Sequence, residues 1–134
     1  MLRDIETCIK NPELAEILIR ALNSIADPVV ITNADLSKDG PIILFVNEAF
    51  CKKTGYSKDE AIGKTPRILQ TKNTNENFKH ALKTALSAGE TFFGITTNQG
   101  KDGREYMLQL NIAPVFKDGK IINYVAVQEH YAID

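Results

Sequence analysis

Tryptophan is absent from the 134 residues, and cysteine, histidine and methionine occur only twice each. Cys8 and Cys51 stand far apart with no CxxC spacing. That argues against a disulfide framework or a cysteine-built zinc centre, and it fits a reducing cytoplasm. No apolar run reaches the length of a membrane span, and Met1-Leu2-Arg3-Asp4 does not open as a secretory signal. Charge of one sign is missing too. A formal net charge of -1 gives no basic face for nucleic acid and no polybasic run for a membrane surface. Internal repeats and low-complexity segments are absent. No Ser-His-Asp order, metal-ligand spacing, paired acids or phosphate loop stands out, so the expectation is a domain that is not itself an enzyme. What is present is ordinary for one folded domain: 43% hydrophobic and 25% charged residues in a chain long enough for a single core.

Local signals order the chain. Asn11-Pro12-Glu13 reads as a helix start, with a capping amide, proline at the first helical position and an acid at the positive end of the dipole. Leu14, Ile17, Leu18, Leu22 and Ile25 follow at helical spacing until Asp27-Pro28. PVVIT (Pro28–Thr32) and IILFV (Ile42–Val46) read as strands across a long turn-rich loop. Asn47 starts a short helix ending near Gly55; Ser57 and Glu60 have capping-box spacing, and Gly63 closes that piece. Phe78, Ala81, Leu82, Ala85 and Leu86 form a further helical stripe stopped by Gly89. Three strands complete the chain, at Thr91–Asn98, Arg104–Phe116 and Ile121–Gln128, joined by QGKDG and KDGK turns. Alternation puts Tyr106, Leu108, Leu110 and Ile112 on one face of the middle strand. The pattern predicts an α+β domain, an antiparallel sheet with helices covering one face.

The phrases DPVVIT, ILFVNEAF, TGYSKDEAIGK, KDGREY, IAPVFKDGK and YVAVQ, in this order, resemble a PAS domain over roughly residues 24 to 130. The resemblance implies a five-stranded antiparallel sheet enclosing a small-molecule cavity. It places an N-terminal helical segment at 1–23, the PAS domain at 24–130 and the start of a linker at 131–134. It also implies a sensory role beside an output domain such as a kinase or a cyclic-dinucleotide enzyme. The long first hairpin loop, and GKTPRILQ against the signature GxNCRFLQ, look most like the light-oxygen-voltage branch.

Carried over residue by residue, that resemblance gives Arg67 a flavin phosphate, Gln70 and Asn98 the ribityl chain and ring edge, and Gln128 the reactive side of the ring. Lys83 stands where a second phosphate-binding arginine is usual, so the charge is kept and the fork is lost. Thr65 and Leu108 replace asparagines that contact the cofactor, and Leu110 lies beside Leu108 on the same face. Pro66 replaces the cysteine that forms the light-driven adduct. The family's DIT ending is replaced by His130-Tyr131-Ala132.

Two readings follow. In the first the domain binds a small ligand, FMN or FAD, and reports its redox state. In the second it is a ligand-free interaction module whose core is filled by Leu108, Leu110, Ile112 and Phe92. Either one is expected to dimerise through the helix at residues 12–25 unless that helix folds back on its own sheet. His80 offers a haem-ligand alternative, although it lies at the edge of its helical stripe. Cys51 reads as a small buried hydrophobe, and Tyr106 and Tyr124 read as sheet residues.

Overall fold

The computed structural model describes residues 11–132. The first ten residues, including Cys8 and the start of the expected N-terminal segment, lie outside the described residues, as do 133 and 134. The helix α1 spans Pro12–Ser24, and the Asn11 side chain accepts from the N–H groups of Glu13 and Leu14, as the capping signal predicts. Strands β1 (Val29–Asn33) and β2 (Ile43–Val46) pair antiparallel. Helix α2 (Glu48–Thr54) ends on Gly55 at φ 82, a left-handed position that suits glycine. Helix α3 (Lys58–Ala61) starts with both bonds of the Ser57–Glu60 capping box in place. A 3-10 turn at Pro66–Leu69 and helix α4 (Glu76–Ser87) lead into β3 (Phe92–Gln99), β4 (Glu105–Lys117) and β5 (Lys120–Ala132).

The strands form one five-stranded antiparallel sheet in the order β2-β1-β5-β4-β3. The last strand therefore lies in the middle, hydrogen-bonded to the first on one side and to β4 on the other. Tyr106, Leu108, Leu110 and Ile112 are buried on the inner face of β4, while Met107 and Asn111 are exposed on the outer face. The inner face meets Phe50, Leu69 and Leu86 from the helical side, and together these make the core. The α+β architecture expected from the pattern is present.

Three local expectations shift. β5 continues past Gln128 through Ala132, with Tyr131 opposite Met107, so the linker expected from residue 131 begins inside the sheet. Backbone pairing needs no apolar side chain, so the polar residues Glu129 and His130 did not end the strand. In α4, Ala81 is exposed whereas Phe78, Leu82 and Ala85 pack against the core. In α1, Ala15 is buried, and Ile19 and Leu22 are half-buried. Leu14, Ile17, Leu18 and Ile25, read as one stripe with Leu22, are exposed, so Leu22 alone of that stripe turns partly inward.

Asn47 joins these parts. It is fully buried, and its Oδ1 accepts from the N–H groups of Val29 (2.9 Å) and Phe50 (3.1 Å). Its Nδ2 donates to the carbonyls of Leu22 (2.9 Å) and Asp27 (3.0 Å). One amide thus caps α2, starts β1 and ties down the end of α1.

Candidate functional site

Between the inner face of the sheet and the helical layer lies a cavity of about 550 Å³, in the usual size range for a small-molecule site. Its floor comes from three neighbouring strands: Asn98 on β3, Leu108 and Leu110 on β4, and Ala126 and Gln128 on β5. Alternation makes this possible, because residues two apart on each strand face the same way. Phe78, Leu82 and Leu86 from α4 form an apolar wall, and Phe78 meets Phe92 edge to face at 5.3 Å. Gly94 allows this approach. A Cβ built there would lie 2.7 Å from the Phe92 ring and 2.8 Å from that of Phe78.

Polar groups stand at two levels. Deep in the cavity, Asn98 and Gln128 are both buried. The Thr74 hydroxyl lies 3.4 Å from Asn98 Oδ1, and Gln128 Oε1 lies 2.8 Å from the Nε2 of His130. Neither amide nitrogen makes a hydrogen bond of normal geometry among the described residues, and that of Asn98 is directed toward the Tyr106 hydroxyl. The one fully buried side-chain polar atom without a partner among the described residues is the Tyr106 hydroxyl, while the two amides line the cavity, where an acceptor on a ligand or water can reach them. At the mouth, Arg67, Lys38, Lys79 and Lys83 gather four cations from three segments. Lys79 is shared with Glu76 at 2.8 Å. Arg67 is exposed and donates to the carbonyls of Lys38 (2.7 Å) and Ser37 (3.2 Å), which fastens the β1–β2 loop over the 3-10 turn. The Asp35 carboxyl in that loop is held below its ordinary range by hydrogen bonds from Ser37, with a smaller contribution from Arg67.

The cavity gathers most of the residues expected from the sequence: Arg67, Gln70, Lys83, Asn98, Leu108, Leu110 and Gln128 all line it. Gln70 is held against Asn98 by an isolated bridge, and its carbonyl accepts from Gln99 Nε2 at 3.2 Å. Thr65 does not line the cavity. Its hydroxyl caps the 3-10 turn by accepting from the N–H of Arg67 at 3.2 Å, which turns the side chain toward its own backbone. Pro66 is in the wall, and Cys51 is not; burial raises the Cys51 thiol above its ordinary pKa. His80 is exposed and outside the cavity, which leaves the haem alternative without a ligand there.

Sequence reading missed Lys38, Lys79 and His130. Lys79 lies one helical turn before Lys83, and His130 two strand positions after Gln128, so periodicity contained both. Lys38 sits in an irregular loop where no periodicity operates.

The geometry has counterparts among known proteins. The chain is 33% identical over 114 residues to a blue-light photoreceptor of Listeria monocytogenes, covering 85% of this chain and 44% of that protein. It is 36% identical over 102 residues to a blue-light-activated histidine kinase of Brucella canis, covering 75% of this chain and 20% of the kinase. The chain thus spans less than half the length of these curated relatives. Among solved structures, a light-oxygen-voltage domain studied with a flavin analogue superposes with a TM-score of 0.76 at 28% identity, covering 87% of this chain and 85% of that one. The LOV domain of the Erythrobacter litoralis EL346 blue-light activated histidine kinase gives a TM-score of 0.75 at 25% identity, covering 81% and 99%. The PAS domain model itself matches residues 26–129, from just before β1 through most of β5. With the fold, the cavity and the sequence match in agreement, this chain belongs to the PAS domain family.

Proposed function

We propose that this chain is the sensory domain of a larger signalling protein, that it holds FMN or FAD in the cavity, and that it reports redox state to an attached output domain. The supporting observation is the pair of buried amides, Asn98 and Gln128, which line a slot walled by apolar side chains. A flat ring with a polar edge suits that slot, and a phosphate suits a mouth carrying Lys38, Arg67, Lys79 and Lys83. A bound flavin supplies a ring edge that changes from hydrogen-bond acceptor to donor on reduction. Gln128 follows such a change by turning its amide, which gives the two states different contacts with β5. Because β5 is the middle strand, a shift there reaches β1 and β4 together.

Pro66 in the wall has no thiol, and Cys51 is outside the cavity, so this reading contains no cysteinyl adduct. We place a kinase or a cyclic-dinucleotide enzyme as the output; the kinase is in keeping with the Brucella relative, a blue-light-activated histidine kinase. A parallel homodimer through the exposed Leu14, Ile17, Leu18 and Ile25 of α1 completes the reading.

Release of small molecules from the denatured protein, followed by titration with FMN and FAD, tests this. The expected result is a yellow protein or micromolar reconstitution, with illumination leaving flavin fluorescence unquenched by any adduct. Failure of both flavins to bind, with none released, refutes it. The second reading, a ligand-free interaction module, is favoured by Leu108, which is 2% exposed and fills the floor where a polar contact is usual for the branch. A colourless protein that still dimerises would support that alternative.

A further inference from the structure

Gln128 is backed by a second side chain that the flavin reading does not use. His130 follows it by two positions on β5 and therefore lies on the same inner face. Its Nε2 is 2.8 Å from Gln128 Oε1, and its ring stacks on Tyr106 with centroids 4.2 Å apart and planes 20° from parallel. Tyr106 is buried, and its hydroxyl, near Asn98, forms no hydrogen bond of normal geometry. The ring also lines a separate, more open depression of about 670 Å³, so it stands between that depression and the ligand cavity. We propose that His130 is a positioning residue that sets which end of the Gln128 amide faces the cavity, and that its neutral ring lets the amide turn over. This deepens the flavin reading of Gln128 and rests on it.

The chemistry follows from what each atom can do. A carbonyl oxygen only accepts, so the bond requires a hydrogen on Nε2; in the neutral ring Nδ1 is then bare. The Gln128 amide nitrogen is thereby free to donate to an acceptor in the cavity. When the ligand edge becomes a donor, the amide must turn and offer its oxygen, which aims its N–H at His130. A fixed donor there would oppose the turn. The neutral imidazole accommodates it, because one hydrogen leaves Nε2 to solvent in the depression while another is taken up at Nδ1. The ring's charge is unchanged, and the turned amide again has a partner. An imidazolium, with hydrogens on both nitrogens, would hold one orientation only.

The surroundings keep the ring neutral. Lys52 and Lys53 from α2 face the depression, with Lys101, Asp102 and Arg104 from the β3–β4 turn and Glu105 and Tyr106 from β4. Burial lowers the His130 pKa to about 4, with the Lys53 charge adding to the effect and Asp27 opposing it.

The test is nitrogen-15 NMR of the imidazole and Gln128 side-chain resonances in the labelled chain, first without ligand and then with FMN, oxidised and dithionite-reduced. Without ligand, a protonated Nε2 and a bare Nδ1 are expected, together with a Gln128 amide signal that moves in His130→Phe. That variant keeps an aromatic ring for Tyr106 and removes both nitrogens. A bare Nε2, a ring averaging between tautomers as in water, or an unmoved Gln128 signal would overturn the proposal. With FMN, the tautomer should invert on reduction; the same tautomer in both states would also overturn it. His130→Phe should weaken FMN binding about three- to tenfold, the equivalent of one neutral hydrogen bond. His130→Gln, which can donate or accept, should restore affinity to within about twofold on the same basis. If no flavin binds, the flavin reading fails, and the ligand-free spectra still decide whether His130 orients Gln128.

Discussion

Replacing Asn47 with alanine removes the joint between α1, β1 and α2 without touching the cavity. Four hydrogen bonds of 2.9 to 3.1 Å disappear from a site with no solvent exposure. At about 1 kcal/mol net for each, the loss sums to about 4 kcal/mol, and the stranded Val29 N–H and Asp27 carbonyl make roughly 3–5 kcal/mol a reasonable bracket. Urea unfolding followed by circular dichroism reads this directly: with a slope of about 2 kcal/mol/M, the midpoint should fall by about 2 M at unchanged slope. Asn47→Asp separates the two halves of the amide. It keeps the acceptor for Val29 and Phe50 but turns a carboxylate oxygen on the carbonyls of Leu22 and Asp27. That environment raises the carboxyl's folded pKa above its unfolded value of about 4. The deficit should therefore be smallest below about pH 4, grow as pH rises through the raised value, and level off above it. A loss under about 1 kcal/mol in Asn47→Ala, or a pH-independent Asn47→Asp, would refute the reasoning.

Gly94→Ala places a Cβ inside contact distance of Phe78 and Phe92 and should push Phe78 into the cavity, costing about 1–3 kcal/mol of stability and at least about tenfold in FMN affinity; unchanged affinity in a flavin titration would contradict the wall assigned to Phe78. Because the unfolded state takes up a proton before His130 does, stability should fall as pH drops from about 6.5 toward about 4. The full effect of that shift is about 3 kcal/mol, reduced to about 1–2 by solvent at the ring's open edge, and urea midpoints across that window should lose this component in His130→Phe. Leu14→Glu with Leu18→Glu, both exposed on α1, should give a folded monomer by light scattering with less than about 1 kcal/mol change in stability; an unchanged dimer would remove α1 as the interface.

Much of the fold was legible because its signals are local. The Asn11 cap, the Ser57–Glu60 box and the Gly55 stop depend on residues within one turn, and each formed as its spacing implies. Alternation along β4 sorted Tyr106, Leu108, Leu110 and Ile112 from Met107 and Asn111 for the same reason, since a strand's two faces are decided by residue parity. Parity likewise sets Asn98 beside Thr96, and Gln128 beside Ala126, and all four are buried on the inward face. Tertiary structure decided what those faces meet. Only the order β2-β1-β5-β4-β3 makes Asn98, Leu108 and Gln128 neighbours on one floor, although Gln128 lies 30 positions after Asn98 in the chain. Thr65 shows the limit from the other side: a side chain one residue from the cavity wall was claimed by the nearest backbone N–H, that of Arg67. Lys38 reached the mouth because Arg67 holds its loop there, and Asn47 gained four partners from segments as far as 25 positions away. Residue type and spacing determined which local elements form and which way their side chains point; packing, which rewards contacts regardless of distance along the chain, determined which of those side chains share a site.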